Sequence, residues 1–483
     1  MSSIDLRPVF PALIVAATGL AVLLAQAFAP KGGRSPVAAP LSLAGLAGAF
    51  ASVLLLARGP RYGLGATTGG AVSADAFALF LQGVILGVGV LVVLLSPSYL
   101  RATRMERGEY YALVLFSIVG MLGLVSATEL ISLFVALETM SVALYALAGM
   151  RRDQMESQES AIKYFITGAF ASAFLLYGIA LLFGLSGSTS LGRVASAVAS
   201  PGRPELAVVG AGLLLVGFGF KVASVPFHMW TPDVYEGAPT TVTAFMAAGV
   251  KTAAFGALIR VFGAALPALA SKWQPAVAAL ALLTMVIGNL GALAQSNVKR
   301  MLAWSSIAHA GYLLTALVAA PRVAAEAVLF YLVGYAAVNL GGFGALAALA
   351  KDGREPLSLG DLAGLSRRRP LLAAALTVYL VSLTGVPISA GFVGKFYLFG
   401  AAVGAGHVVL ALVGVLMSVV SAFYYLGVVV QMYMKEPVGE DGWGPIGAGS
   451  ALAMATSVAL VLGLGVYPAP LLELARAAAR SIY

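Results

Sequence analysis

Runs of about twenty apolar residues follow one another along nearly the whole chain, and this constrains the fold more than any other feature. Each run is long enough to cross a hydrocarbon core of about 30 Å. Backbone groups in lipid must be satisfied internally, and continuous rather than alternating runs favour helices over a barrel. About fourteen spans can be placed, near 9–29, 37–57, 75–96, 110–127, 129–150, 160–185, 206–230, 238–262, 274–295, 300–320, 323–349, 370–400, 405–434 and 444–466. With 60% hydrophobic and 10% charged residues among 483, no soluble domain is left over. The expected fold class is an all-α polytopic membrane protein. The N-terminus has no basic leader or convincing cleavage site, so 9–29 reads as a retained span. Of the two longest polar connections, "KDGREPLSLGDLAGLSRRR" is expected to carry a short amphipathic interfacial helix.

Charge and residue types exclude several function classes. There are no cysteines, which rules out disulfides, iron–sulfur ligation and thiolate metal sites. His228, His309 and His407 are too scattered for a metal site. The net charge of +9 is topological rather than a nucleic-acid signal. One side of the spans collects Lys31, Arg34, Arg101, Arg104, Arg107, Arg151, Arg152, Lys299, Arg300, Lys351, Arg354, Arg367, Arg368, Arg369 and Lys435. The other collects Arg7, Arg58, Arg61, Arg193, Arg203, Arg260, Lys272, Arg322, Arg476 and Arg480. The richer side is expected to be cytoplasmic, with both termini facing outward.

Those residues leave four lysines, Lys163, Lys221, Lys251 and Lys395, all inside expected spans. A charge at the bilayer centre costs roughly 2.5–3.5 kcal/mol on insertion scales, so such residues mark functional sites. Lys221 follows Glu205 by 16 residues, about 24 Å down a helix, too deep to snorkel. Lys251 and Lys395 are also central. Lys163 is near a span end, where an interfacial lysine is a fair competitor. Glu138 lies near mid-membrane on another span, and His309 is about 15 Å deep. A desolvated lysine can exchange its proton, whereas arginine in practice cannot. A row of Lys, His and Glu at mid-depth therefore has the chemistry of a proton relay.

Two spans contain breaks. "KVASVPFHMW" places Pro226 just after Lys221, and "LTGVPISAGFVGK" places a proline and glycines just before Lys395. Proline frees backbone carbonyls, which membranes tolerate only beside protein or water-filled cavities. Two breaks beside two lysines suggest two related halves, 110–262 and 274–434, each of five spans.

The segments "ELISLFVALETMSVALYALAG", "ESAIKYFITGAFASAFLLYG", "GFGFKVASVPFHMWTPDVYEGAPTTVTAFMAAGVKTAAF", "SNVKRMLAWSSIAHAGY" and "LTVYLVSLTGVPISAGFVGKFYLFGAA" resemble the antiporter-like membrane subunits of respiratory complex I, within them the subunit N branch. The resemblance runs from about 129 to 402. It implies fourteen helices, with helices 1–3 in 1–109, two inverted five-helix repeats broken at helices 7 and 12, and helix 14 with a tail in 435–483. It also implies that Glu138 on helix 5 pairs with Lys221 on broken helix 7, and that Lys163 tunes this pair. Lys251 and His309 then connect to Lys395, where one sibling subunit carries glutamate. His228 and Lys299 are secondary candidates.

On this resemblance the chain couples electron transfer from NADH to quinone, performed in other subunits, to proton pumping in a bacterial inner membrane. NADH, FMN, iron–sulfur clusters and quinone are expected in partner chains and no cofactor in this one. The expected partners are sibling antiporter-like subunits, small membrane subunits, lipid and protons, and no nucleic acid. The alternative is an Mrp-type or stand-alone cation/proton antiporter.

Overall fold

The computed structural model describes residues 5–29, 36–59, 70–200, 204–355, 357–437 and 443–482. The topological cations Lys31, Arg34, Arg61 and Arg203 lie outside the described residues. The long apolar runs form α1 (Phe10–Ala27), α2 (Ala38–Arg58), α3 (Ala76–Ala102), α4 (Gly108–Ser126), α5 (Leu130–Ala148), α6 (Met155–Ser186) and the short α7 (Leu191–Ala199). There follow α8 (Pro204–Val222), α9 (Trp230–Gly237), α10 (Thr240–Ala265), α11 (Ala270–Leu293), α12 (Val298–Ala316) and α13 (Pro321–Ala348). The last are α14 (Pro370–Thr384), α15 (Ala390–Gly404), α16 (Val408–Met434), α17 (Ala448–Val466) and α18 (Ala469–Arg480). No strand longer than an isolated bridge occurs among the described residues.

Among the described residues, twelve helices are long and apolar enough to cross a membrane. The more polar α12 and the α14–α15 pair bring the spans to the expected fourteen among the described residues. Local chemistry starts them where the sequence supplies caps. Asp75 accepts the Ala78 amide at the start of α3, and Asn297 accepts the Arg300 amide at the start of α12. Proline opens α13 and α14 at the first turn, where no intrahelical donor is needed.

Several boundaries shift by about five residues, α3 running to Ala102 and α6 starting at Met155, and two readings differ in kind. The first broken span does not end near 230, because α9 continues it to Gly237 before α10 begins. The amphipathic helix was expected in "KDGREPLSLGDLAGLSRRR", whose described residues hold only a 3₁₀ turn at Leu359–Leu362 and one helical turn at Leu365–Arg368. The longer amphipathic helix is α7, in the other polar connection, where Leu191 and Val194 are buried.

The second half of the chain repeats the element pattern of the first. Leu130 and Val298, Leu191 and Leu359, and Thr240 and Val408 each begin an element, and each pair is 168 positions apart. The isolated bridges Glu129–Ser190 and Asn297–Ser358 keep the same offset. The broken pairs α8–α9 and α14–α15 occupy matching places in this pattern.

α10 is the buried axis of the assembly, with all of its apolar window inside the protein. It contains π-helical stretches at Met246–Val250 and Val261–Ala265, on either side of the segment that begins with Lys251. Such stretches widen the turn and often mark functional positions.

Arg260, read from the sequence as a loop cation, is instead fully buried near the end of α10. Its guanidinium donates to both oxygens of Asp75, at 2.7 and 2.9 Å, and Nε donates to the Val125 carbonyl at 3.2 Å. The planar fork matches the carboxylate, so the pair locks the start of α3 to the ends of α4 and α10. Asp75→Ala strands the guanidinium and should destabilise by about 3–5 kcal/mol. Asp75→Ala with Arg260→Met should recover most of that loss, read as the thermal inactivation temperature of the intact assembly.

A buried row of lysines, hydroxyls and one histidine

Each break exposes carbonyls, and the neighbouring residues use them differently. At the first break, Pro226 interrupts the chain and Ala223 adopts φ +63°. Ser224 returns its amide to the Gly219 carbonyl at 2.8 Å, and Trp230 Nε1 donates to the Phe220 carbonyl at 3.1 Å. With those carbonyls occupied, Lys221 Nζ instead donates to Ser141 Oγ at 2.8 Å. The rings of Tyr145, Tyr164 and Phe220 surround the ammonium with centroids at 5.5, 5.3 and 5.5 Å. Their negative faces help to compensate the charge where no direct ion pair does.

At the second break, Gly385 takes φ +92°, a conformation only glycine adopts without strain. This ends α14 and leaves two carbonyls free. Lys395 Nζ donates to those of Leu383 and Thr384, at 2.8 and 3.1 Å, and to Ser418 Oγ at 3.0 Å. The Tyr312 ring covers the ammonium at 4.7 Å. A cation at a helix C-terminus is also favoured by the backbone dipole.

Between the breaks, Lys251 Nζ donates to the carbonyl and, at 2.6 Å, the hydroxyl of Ser306. Tyr335 donates to the same hydroxyl at 2.8 Å. One turn along α12, His309 Nδ1 meets the Tyr331 hydroxyl and Nε2 meets that of Tyr425 at 3.3 Å. Lys221, Lys251, His309 and Lys395 are each at most 5% exposed. Glu138, one turn from Ser141 on α5, accepts from Ser172 and is only partly covered by this chain.

The structure thus places Glu138 one turn from Ser141, the partner of Lys221, on α5, without a direct ion pair between Glu138 and Lys221. It does not bring Lys163 to them. Lys163 is 41% exposed at the arginine-rich end and binds Glu159 at 2.6 Å and Asp233 at 2.5 Å. His228 packs against Trp304 with ring centroids 5.5 Å apart. The hydroxyl members Ser141, Ser306, Tyr331, Tyr335, Ser418 and Tyr425 were missed by the sequence reading. Helical spacing flags some of them: Glu138 with Ser141, and Ser306 with His309, stand three residues apart on one face.

Two supposed loop cations are buried as well. Lys299 and Arg151 approach Glu355 at 3.5 and 3.1 Å, and Lys299 also donates to the Ala238 carbonyl at 2.6 Å. Tyr99 and Thr240 hydroxyls donate to the other Glu355 oxygen. Burial alone would raise the Glu355 carboxyl, but Lys299, Tyr99, Arg151 and Thr240 together hold it below its usual value. Among the described residues, no group of three or more His, Asp or Glu side chains is arranged to hold a metal ion.

The architecture is that of a fourteen-span helical membrane protein with two broken helices and a buried row of ammonium groups between them. The chain belongs to the family described as NADH:quinone oxidoreductase/Mrp antiporter, TM, whose model matches residues 127–421. NADH-quinone oxidoreductase subunit N of Trichlorobacter lovleyi is 43% identical, with 99% of this chain and 98% of that protein covered. The protein of the same name from Chloroflexus aggregans is 45% identical, with 98% and 96% covered. Among solved structures, respiratory complex I from Thermus thermophilus with bound aureothin contains a chain of 38% identity and TM-score 0.81, with 96% of this chain and 99% of that chain covered. The Mrp complex from Dietzia shares the fold at TM-score 0.86 and 23% identity, with 99% and 97% covered.

A carboxyl held below its unfolded-state pKa stabilises at neutral pH and loses that contribution as pH falls through its folded value. Glu355→Gln should therefore lower the thermal inactivation temperature at pH 7, with a cost of about 3–5 kcal/mol for stranding two buried cations. The gap to the parent should narrow as pH drops below the carboxyl's ordinary 4.5. A gap that persists at low pH would mean the ionised carboxylate is not what stabilises.

Proposed function

We propose that this chain is the proton-translocating membrane subunit of a bacterial NADH-quinone oxidoreductase. Full-length similarity to proteins named as its subunit N supports the assignment. The observation that carries the mechanism is the buried row Lys221, Lys251, His309 and Lys395, each joined to hydroxyl or carbonyl groups and spread across both halves. No direct hydrogen bond joins any of these four to the next, so the relay requires the intervening hydroxyls and bound water to bridge each gap.

In this reading a proton enters from the arginine-rich, cytoplasmic side toward Lys221. The charge on Glu138 alters how firmly Lys221 holds its proton. The proton passes through Lys251 and His309 to Lys395 and leaves on the outer side. Residues 110–262 and 274–434 act as two inverted five-helix units, since an odd number of spans reverses the second relative to the first. The shared offset of 168 positions at three element starts and at the two isolated bridges supports that division. Helices 1–3 in 1–109 and the final helix with its tail in 435–483 flank them, and both termini face outward.

NADH, FMN, iron–sulfur clusters and quinone belong to partner chains, which transfer the electrons. Sibling antiporter-like and small membrane subunits cover the sides of this chain. The alternative, a redox-independent cation/proton antiporter, differs in what drives transport.

The test is NADH-driven proton pumping in membranes carrying Lys221→Ala, with assembly monitored in parallel. Pumping should fall at least tenfold while the complex remains assembled, the scale of loss on removing a proton-transfer group. Unchanged pumping in an assembled complex would sink the relay reading. Sodium-dependent transport without NADH would favour the antiporter.

A further inference from the structure

The half-helix α9 is held at both ends. At its start, the Trp230 indole stacks on Tyr164 with centroids 4.5 Å apart and planes 7° from parallel. It also packs on Phe220 at 5.1 Å and donates to the Phe220 carbonyl at 3.1 Å. Tyr164 and Phe220 are two of the three rings around the Lys221 ammonium. The Tyr164 hydroxyl is buried without a hydrogen-bond partner, so ring contacts alone position this side chain.

One turn further along α9, Asp233 accepts from Lys163 at 2.5 Å and Arg300 at 2.7 Å. Arg300 also binds Glu236 at 2.6 Å. Ser160 on α6 donates to the Val234 carbonyl at 3.1 Å. The α6 segment Ser160–Tyr164 thus grips α9 by an ion pair, a hydrogen bond and a ring stack.

This arrangement argues against Lys163 acting on Lys221 by its charge. Lys163 is 41% exposed, and Glu159 and Asp233 both lie within 2.6 Å of its ammonium. A charge so closely paired with two carboxylates projects little field into the bundle. Its mechanical connection is direct: Lys163 holds Asp233, α9 carries Asp233 and Trp230, and Trp230 touches the rings enclosing Lys221.

We infer that Lys163 controls Lys221 through the placement of α9, with Asp233, Trp230 and Tyr164 as positioning residues for the proton site. Displacement of α9 would slide Trp230 off Tyr164 and Phe220, leaving the Phe220 carbonyl to the Ala223 amide that also donates to it at 3.1 Å. The ammonium would then lose part of its ring enclosure. The inference rests on Lys221 being a working proton site.

The experiment is a double-mutant cycle in membranes with the assembled complex, read as protons pumped per NADH oxidised. Lys163→Ala and Asp233→Asn should each lower that ratio several-fold, and the double variant should be no worse than the poorer single. Losses that multiply in the double variant would overturn the link, because Lys163 would then act by a route that bypasses Asp233. Both side chains are partly exposed, so assembly should survive.

Tyr164 supplies a second arm. Tyr164→Phe keeps the ring and should pump as the parent does, whereas Tyr164→Leu should lose several-fold. A parent-like Leu variant, or a Phe variant as poor as Leu, would also overturn the inference. Lys221→Ala is the control that separates the two failures. If it still pumps, the relay reading falls first; if it does not and the cycle is multiplicative, only the mechanical link falls.

Discussion

Everything distinctive about this protein follows from the cost of keeping ammonium groups out of water. Lys221, Lys251 and Lys395 lie within the bundle at no more than 5% exposure, and, unlike Lys299, none of them has a carboxylate within salt-bridge distance among the described residues. Their compensation comes from hydroxyls, backbone carbonyls and aromatic faces. These neutral partners stabilise a charge without fixing it, so a proton can leave without abandoning a buried anion. A site of full ion pairs would hold its protons more tightly.

The two breaks solve the same problem in different ways. At Lys395 the helix ends on Gly385, and the freed carbonyls of Leu383 and Thr384 become ligands for the ammonium. At Lys221 the freed carbonyls are already taken by Ser224 and Trp230, and rings take over. The lysine precedes its break in one case and follows it in the other, which decides whether it can reach back to the carbonyls of the first half-helix. The fully ionic pairs lie apart from this row: Arg260 with Asp75 near one end of the bundle, and Lys299 and Arg151 with Glu355 near the other. They tie loops and helix ends and leave the interior row uncommitted.

Hydropathy was enough to place fourteen spans within a few residues, because lipid imposes the same demand on each one. It failed where polarity and depth part company. Arg260, Lys299 and Arg151 looked like loop cations because they fall at span edges, yet each is buried by elements remote in sequence. α9 was not recognised because "WTPDVYEG" is polar, although it completes the first broken span. The lysines themselves stood out, since nothing else in a span costs as much. Their serine and tyrosine partners did not, because such residues are unremarkable in any membrane helix.

The sequence by itself therefore determined the class of fold, the position of each break and which lysines must be accommodated. Those follow from one-dimensional physics: apolar length, proline and glycine placement, and the penalty on isolated charge. Only the tertiary structure decided what each lysine touches. Ser141 lies 80 positions from Lys221 and Ser306 lies 55 from Lys251, on other helices. It also separated Lys163 from Glu138 and Lys221, although all three lie on expected spans. A helix presents its side chains every 100° or so, and which of them meet a neighbour depends on how helices rotate and pack, which no single span records.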